Sequence, residues 1–386
     1  MSAMLILFMV SAMQVGRLPC EFLPTLFPPI SHDHFSYRYN TNWNQYADVI
    51  DSILSQYNIS VKYQGATFSG VLSFFEYLPT YIDLNHERLS SISVHNYGEC
   101  NGDLSTLMTS AIYPRNPAPY GLQNATNYGL EYWMGETGSV ACCCWLNVSD
   151  TFASALWGVD WIFRTAQLGY KAMSFHGVGA GGQGATVVFP PWDLGPPPII
   201  RPLYYAMLAA ARTFAGPNAY IWPEGNPNLN VTSDQPMVSV FSTLDAGNGL
   251  RKVIVNHRNI TPGLPDALVS ITFSQGNYYA NALLYFLLAP SPLSKFGVTL
   301  AGQTFDGTLD GTIQGNQTTY TISSTGNNTW QFTMQAASAA FITFCPLSNP
   351  MPCGGQPPST SASGRSSPSL LKLLLPLLSI RGEVEK

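Results

Sequence analysis

The sequence of 386 residues predicts an α/β region followed by an all-β region, namely a partial (β/α)8 TIM barrel and then a C-terminal antiparallel β-sandwich. Up to about residue 216, short apolar strand patterns alternate with helical patterns, which is typical of a parallel sheet with crossover helices. Beyond it, short strand patterns are separated by turns rich in Gly, Asn and Pro. We therefore expect an incomplete barrel domain over residues 1–216, a sandwich over 217–347 and a Pro/Ser-rich disordered tail over 348–386.

The barrel elements follow from hydrophobic periodicity. In chain order, we predict a helix at 42–57, a strand at 61–68, a partly helical segment at 74–89, a strand at 91–95, a helix at 103–112, a strand at 130–134, a buried helix at 149–168, a strand at 171–175 and a helix at 202–214. Eight strands close a barrel of this type, and only four are clear here, so the predicted barrel is incomplete. The sandwich strands are predicted at 238–241, 252–255, 268–273, 318–322 and 339–344.

Both ends of the chain carry short apolar segments. Residues 5–10 are either the remnant of a barrel strand or the core of a signal peptide. The run at 370–380, interrupted by Lys372, belongs either to an unstructured tail or to a lipid-anchor signal. Any membrane attachment is expected to use this tail alone, because a transmembrane helix needs roughly 20 apolar residues.

The composition favours a glycan ligand. Charged residues make up 10% of the chain, against about 25% in an average globular protein, and aromatic residues make up 12%. Such a surface suits sugars, whose hydroxyls need neutral hydrogen-bond partners and whose rings stack on aromatic side chains. The net charge of −5 gives no electrostatic footprint for nucleic acid. No cofactor is expected, and no cysteine or histidine spacing indicates a metal site.

Sequons and cysteines bear on the cellular location. The sequence has Asn-X-Ser/Thr sequons at Asn58, Asn124, Asn147, Asn230, Asn259, Asn316 and Asn327. This number favours a secreted or cell-surface glycoprotein, and the alternative is chance in an Asn- and Thr-rich chain. The 7 cysteines cannot all pair internally, and Cys345 and Cys353, which bracket a Pro-rich turn, are candidates for a local disulfide.

Glu136 is the strongest candidate for chemistry. It follows the strand at 130–134 and precedes small residues that leave space for a sugar ring. A glycosidic bond is broken by two carboxyl groups, and an attacking carboxylate must be ionised and rigidly held. His95, Tyr97 and His176 also lie at or just past strand ends, where a barrel carries its active site, and are predicted to bind substrate. The structural alternatives are a solvated turn carboxylate, a packed tyrosine and structural histidines.

Several runs resemble glycoside hydrolase family 79, which includes β-glucuronidases and heparanase-like enzymes. E-Y-W-M-G-E-T-G-S at 131–139, with N-V-S-D-T-F-A-S-A-L-W-G-V-D-W at 147–161, resembles the family's nucleophile strand and next helix. S-V-H-N-Y-G at 93–98 resembles the end of its sixth strand, and F-H-G at 175–177 with R-P-L-Y-Y-A-M-L at 201–208 resembles its eighth strand and last helix. The resemblance covers about residues 36–347. It implies a retaining hydrolase of β-linked glucuronic acid or its 4-O-methyl ether, with Glu136 as nucleophile.

The sequence departs from the family at the second carboxylate. Family members carry their acid/base residue in an Asn-Glu-Pro motif after the fourth barrel strand, and no Asn-Glu-Pro occurs here. Our hypothesis is an N-terminally truncated chain that begins within that strand, with residues 17–31 as a foreign insertion. The remaining glutamates that could substitute are Glu21, Glu76, Glu87, Glu99 and Glu131, of which only Glu99 lies near a strand end.

Three hypotheses follow from the sequence. The first is a β-glucuronidase-type hydrolase that is weak or inactive without its acid/base motif, since a general acid typically contributes about 10²–10⁴-fold in rate. The second is a non-catalytic carbohydrate-binding or cell-surface protein. The third is an unstable fragment without a function of its own.

Overall fold

The structure, a computed structural model, describes residues 32–69, 72–99, 101–109, 120–141, 145–175, 187–188, 199–215, 219–222, 228–245, 250–274 and 279–346. Several predicted features lie outside these ranges: the apolar run at 5–10, the segment at 17–31 with Glu21, His176, and the tail at 348–386 with Cys353. The predicted domain boundary at residue 216 also falls in a gap between described ranges.

A parallel sheet of four strands occupies the first part of the chain, in the order β1–β2–β3–β4. The strands are β1 (Tyr63–Ser69), β2 (Leu89–His95), β3 (Glu131–Thr137) and β4 (Ala172–Phe175). Neighbours in this sheet are parallel throughout, and each strand overlaps a predicted one. The prediction of a parallel α/β sheet is therefore confirmed.

Seven helices lie within the described residues. They are α1 (His32–Ser55), α2 (Leu72–Glu76), α3 (Leu78–Asn85), α4 (Leu104–Thr109), α5 (Leu122–Asn127), α6 (Phe152–Gln167) and α7 (Pro202–Thr213). The predicted segment at 74–89 is divided, because Pro79 occupies the first turn of a new helix, where its missing N–H costs nothing. Helix α5 was not predicted, since only Ala125 of its short polar sequence is buried.

Helix α1 begins at His32, earlier than the predicted start at residue 42. Tyr39 and Trp43 lie one turn apart on this helix and both pack against Tyr81 of α3, with ring centroids 5.7 Å apart in each case. The Tyr39 hydroxyl also donates a hydrogen bond to the Ala66 carbonyl of β1 at 2.6 Å. The additional helical turns are thus held by aromatic packing onto the edge of the sheet.

Antiparallel strands form the second part of the described chain. They are β7 (Ala219–Ile221), β8 (Leu229–Ser233), β9 (Val238–Asp245), β10 (Leu250–His257), β11 (Ala267–Phe273), β12 (Tyr279–Leu288), β13 (Thr299–Leu300), β14 (Tyr320–Ser323), β15 (Thr329–Met334) and β16 (Ser338–Pro346), after the short pair β5 (Val187–Val188) and β6 (Ile199–Ile200). One sheet has the order β13–β12–β16–β10–β9–β7, with β14 also on β12, and another has the order β15–β11–β8. All predicted strands of this region are present, and one hydrophobic cluster contains side chains from both sheets.

Helix α6 joins the parallel and antiparallel parts. It is buried along most of its length, and its residues belong to a hydrophobic core that also includes Phe241 of β9 and Phe341 of β16. The buried Asn256 side chain of β10 donates to the Leu156 carbonyl of α6 at 2.8 Å. Beyond β10, Arg258 lies 3.6 Å from the Asp160 carboxylate of α6. The parallel sheet and the antiparallel sheets therefore share a core.

His257 is expected to make the free energy of unfolding decrease as the pH falls below about 6.5, the ordinary histidine pKa. The side chain is fully buried at the end of β10, and this burial lowers the pKa of His257. Below pH 6.5 the unfolded chain therefore binds a proton that the folded chain resists, which favours unfolding. Urea denaturation between pH 8 and pH 5 should show a steeper decrease for the natural protein than for His257→Gln. Equal decreases would contradict the prediction.

Candidate active site

The carboxyl edge of the parallel sheet brings together three of the four predicted site residues. His95 ends β2, Tyr97 follows it, and Glu136 lies near the end of β3. The register places His95 beside Glu136 on the neighbouring strand. Because parallel strands end at the same edge of a sheet, residues far apart in the sequence meet there. The fourth residue, His176, lies outside the described residues.

A bulge in β3 sets the direction of the Glu136 side chain. Val94 pairs with Met134 and His95 with Glu136, so Gly135 is an additional residue in the ladder. In a regular strand without the bulge, residues 134 and 136 would lie on the same face, and Glu136 would point to the side of the buried Met134. A Cβ at Gly135 would overlap the hydroxyl oxygen of Ser93, so any other residue there would force the Ser93 side chain to move. The Glu136 side chain instead remains 39% exposed.

The loops after β2 and β3 continue the ladder beyond the strands. The Asn96 N–H donates to the Glu136 carbonyl at 3.1 Å, and the Gly98 N–H donates to the Gly138 carbonyl at 3.0 Å. A Cβ at Gly98 would lie 2.6 Å from the Ser139 carbonyl oxygen, so the close approach of the loops requires glycine there. These backbone bonds fix the position of Tyr97, which lies between them.

Both carboxylate oxygens of Glu136 have a neighbour. The Tyr97 hydroxyl donates a hydrogen bond to Oε1. The His95 Nδ1 lies 3.6 Å from Oε2, which places an attractive charge beside the carboxylate whenever the imidazole is protonated. A donor to an ionised acceptor fixes its orientation more strongly than a donor to a neutral one. The arrangement gives a partly exposed, oriented carboxylate, as nucleophilic attack on a sugar requires.

None of the described glutamates that could substitute for the acid/base residue is an exposed side chain at the carboxyl edge of the sheet beside Glu136. Glu76 ends α2 and Glu87 lies in a single 3-10 turn before β2. Glu131 begins β3, at the opposite end from Glu136, and accepts a hydrogen bond from the Trp133 indole at 2.8 Å. Glu99 is on the loop after β2 but is only 4% exposed, and its Oε2 accepts the Asn101 N–H at 2.6 Å. Glu99 is thus a buried carboxylate in its loop, in contrast to the partly exposed Glu136.

Three features of this site were not predicted: the bulge at Gly135, the approach at Gly98 and the ladder between the two loops. Their only sequence signal is glycine inside or directly after a strand, which often marks a bulge or close backbone approach. Within the described ranges, no group of three or more His, Cys, Asp or Glu side chains converges on a point that would hold a metal.

The seven sequons all lie on described residues and none of their asparagines is buried. Five are exposed, at Asn58, Asn147, Asn230, Asn316 and Asn327, and two are half-buried, at Asn124 and Asn259.

Cys345 is buried and disulfide-bonded. None of the described helices combines the length and the apolar character needed to cross a bilayer.

Comparison with known proteins identifies relatives by structure alone. No protein-family model and no curated protein matches the sequence. A 4-O-α-L-rhamnosyl-β-D-glucuronidase from Fusarium oxysporum superposes with a TM-score of 0.58 at 17% identity, over 76% of this chain and 62% of that one. A family 51 α-L-arabinofuranosidase from Bifidobacterium longum gives a TM-score of 0.52 at 12% identity, over 80% and 63% respectively.

Both neighbours are glycoside hydrolases of the TIM-barrel type, and this chain spans less than two thirds of the length of either. At these identities the likeness concerns the fold. It supports a parallel α/β sheet of the barrel type followed by antiparallel sheets, whereas the β-sandwich and the number of barrel strands stay predictions.

Proposed function

We propose that this protein is a retaining glycoside hydrolase of β-glucuronidase type, acting on β-linked glucuronic acid in glycans. The observation that carries the proposal is the Glu136 carboxylate, directed by a bulge to the carboxyl edge of β3 and held there by the Tyr97 hydroxyl. The resemblance to glycoside hydrolase family 79 and the structural likeness to a rhamnosyl-glucuronidase support it.

In the proposed reaction, the Glu136 carboxylate attacks the anomeric carbon and the bond to the leaving oxygen breaks, which gives a glycosyl ester on Glu136. Water then hydrolyses the ester with net retention of configuration. Tyr97 holds the carboxylate during attack. His95, and His176 after β4, are proposed to bind hydroxyls or the carboxylate of the glucuronic acid. No cofactor or metal enters this scheme.

Protonation of the leaving oxygen is the weak step of the proposed reaction. The chain has no Asn-Glu-Pro motif, and Glu99 is buried in its loop. We therefore propose low activity on natural glycosides, with a loss of about 10²–10⁴-fold relative to an enzyme that has its general acid. Substrates whose leaving group needs no proton avoid this loss.

Covalent trapping tests the proposal without a general acid. A 2-deoxy-2-fluoro-glucuronyl fluoride loses fluoride without protonation, and its fluorine at C2 slows hydrolysis of the ester. Mass spectrometry of the intact protein and its peptides should show one glycosyl adduct, on Glu136, and none in Glu136→Gln. No adduct on a protein that melts cooperatively would contradict the proposal. That result would favour the alternative of a non-catalytic carbohydrate-binding or cell-surface protein, which the missing motif also supports.

Removal of the Tyr97 hydroxyl should reduce the rate. Tyr97→Phe loses a hydrogen bond to a charged acceptor, which is worth about 1.5–3 kcal/mol, and kcat/KM for an activated aryl β-glucuronide should fall by roughly 10-fold or more. The change should appear mainly in kcat, because the bond orients the nucleophile rather than the sugar. Tyr46→Phe, at a residue that is 63% exposed on α1, serves as the control. An unchanged kcat in Tyr97→Phe would contradict this role.

The proposed location is outside the cell, as a secreted or cell-surface glycoprotein. The accessible sequons and the disulfide at Cys345 support this, because disulfides persist in oxidising compartments. The proposed partner is a glycan substrate and not a nucleic acid. Membrane attachment, where it occurs, is proposed to use the tail at 348–386.

A further inference from the structure

The loop after β3 carries a partly exposed tryptophan whose ring is supported on one side. Trp145 is 47% exposed. Its indole packs over Gly102 in the loop after β2, where a Cβ would overlap the ring atoms Cε3 and Cδ2. Gly102 also has a φ of +69°, a conformation that favours glycine. One side of the indole therefore rests on protein backbone, and nearly half of the residue is open to solvent.

The backbone of this tryptophan is fixed as well. The Trp145 N–H donates to the Ser149 hydroxyl at 3.1 Å, and the Trp145 carbonyl accepts the Ser149 N–H at 2.8 Å. Ser149 is buried and its hydroxyl bonds the Ser139 hydroxyl at 2.8 Å. Ser139 lies two residues beyond the end of β3, the strand that carries Glu136. The turn at 145–149 is thus tied to the strand that carries Glu136.

A glycosylation sequon lies inside the same turn. Asn147 is exposed and begins the sequon Asn147-Val148-Ser149. It adopts a left-handed backbone, with φ of 68°, and its N–H donates to the Asp150 carboxylate at 2.6 Å. Two residues of chain span at most about 7 Å, so a sugar on Asn147 begins within reach of the Trp145 ring.

We propose that the first N-acetylglucosamine of an N-glycan on Asn147 stacks on the open face of Trp145. The C–H bonds on a sugar face carry small positive charges that match the negative face of the indole, and stacking removes apolar ring surface from water. The attached glycan would then stabilise the turn between the Glu136 strand and α6. This inference rests on the secreted, glycosylated part of the proposed function and is independent of catalysis.

Oxidative footprinting of the full chain, produced in a glycosylating host, tests the stacking. One sample is trimmed by an endoglycosidase to a single N-acetylglucosamine, and a second is fully deglycosylated. Mass spectrometry should show Trp145 oxidised about fivefold faster after full removal than with the single sugar present. Tyr37, which is 73% exposed near the start of α1 and far along that helix from the nearest sequon at Asn58, should not change. Asn147→Gln should match the fully deglycosylated sample.

Three results would overturn the proposal. One is equal oxidation of Trp145 with and without the attached sugar. The second is a secreted chain whose Asn147 carries no glycan. The third concerns the source of the sugar. If soluble di-N-acetylchitobiose or a glucuronide oligosaccharide protects Trp145 in Asn147→Gln while the attached glycan does not, the indole binds a free glycan instead. Because no hydrolysis is measured, these outcomes remain separate from the fate of the proposed activity.

Discussion

Glu136→Gln is expected to abolish hydrolysis of 2,4-dinitrophenyl β-glucuronide, with kcat at least about 10³-fold lower than in the natural protein. The amide retains the size of the side chain and an oxygen that can accept the Tyr97 hydrogen bond, but it cannot form the glycosyl ester. Dinitrophenolate leaves without protonation, so the absent Asn-Glu-Pro motif does not hide the effect. Release of the coloured phenolate gives the rate directly.

Glu131→Gln is the matched control for this substitution. Glu131 is an exposed carboxylate at the start of the same strand, so the chemical change is identical and only the position differs. We expect its kcat to stay within about twofold, as for most surface substitutions away from special features. A similar loss of kcat in both variants would indicate that the substitutions disturb β3 rather than the chemistry. A fully active Glu136→Gln would show that Glu136 is not the nucleophile.

Arg258→Ala should lower the free energy of unfolding by about 3 kcal/mol, because it leaves the Asp160 carboxylate without its counter-charge in a buried position. Only 17% of the Arg258 side chain and 11% of the Asp160 side chain are exposed. The guanidinium also donates to the Met108 carbonyl of α4 at 2.6 Å. Urea denaturation at neutral pH measures the loss.

Two further variants identify the cause of this loss. Arg258→Ala combined with Asp160→Asn should recover part of the stability, because the uncompensated charge is gone. Arg88→Ala removes a surface cation that is close to two carboxylates, 2.7 Å from Asp48 and 2.6 Å from Asp51. It should cost only about 1 kcal/mol, since the carboxylates left behind, Asp48 and Asp51, are 69% and 42% exposed and remain solvated. The idea fails if Arg258→Ala is no more damaging than Arg88→Ala.

The parallel sheet and most of the antiparallel strands could be predicted because their signals are local. Strand β2 and helix α6 have periodic apolar residues, and the carboxyl ends of parallel strands necessarily meet, so His95, Tyr97 and Glu136 could be placed together from the sequence. Strand β12 was missed because Y-A-N-A-L-L-Y-F-L-L is almost continuously apolar and lacks the alternation that distinguishes a strand.

The geometry of the site could not be predicted, because it depends on contacts between distant segments. The bulge at Gly135 appears only in the pairing of β3 with its neighbours β2 and β4, and the early start of α1 depends on packing against Tyr81. The sequence correctly predicts that Glu99 lies just after β2. It does not predict that Glu99 is buried, because that burial follows from the ladder between the loops after β2 and β3. Short sequence windows contain none of these partners.

Helix α6 lies between two parts of the molecule that the sequence divides near residue 216. Its Trp157 packs near Phe175 of the parallel sheet, and its Phe163 stacks on Phe241 of the antiparallel sheets at 5.5 Å. A protease cut between the two parts would therefore not release two independently folded pieces. The first piece would expose the surface of α6 that the antiparallel sheets cover, and the second would expose the side chains, such as Phe241, that pack on it. Because the core is shared, recombination could not exchange the antiparallel sheets for another domain without disrupting the packing around α6, so these sheets and the Glu136 strand are expected to evolve together.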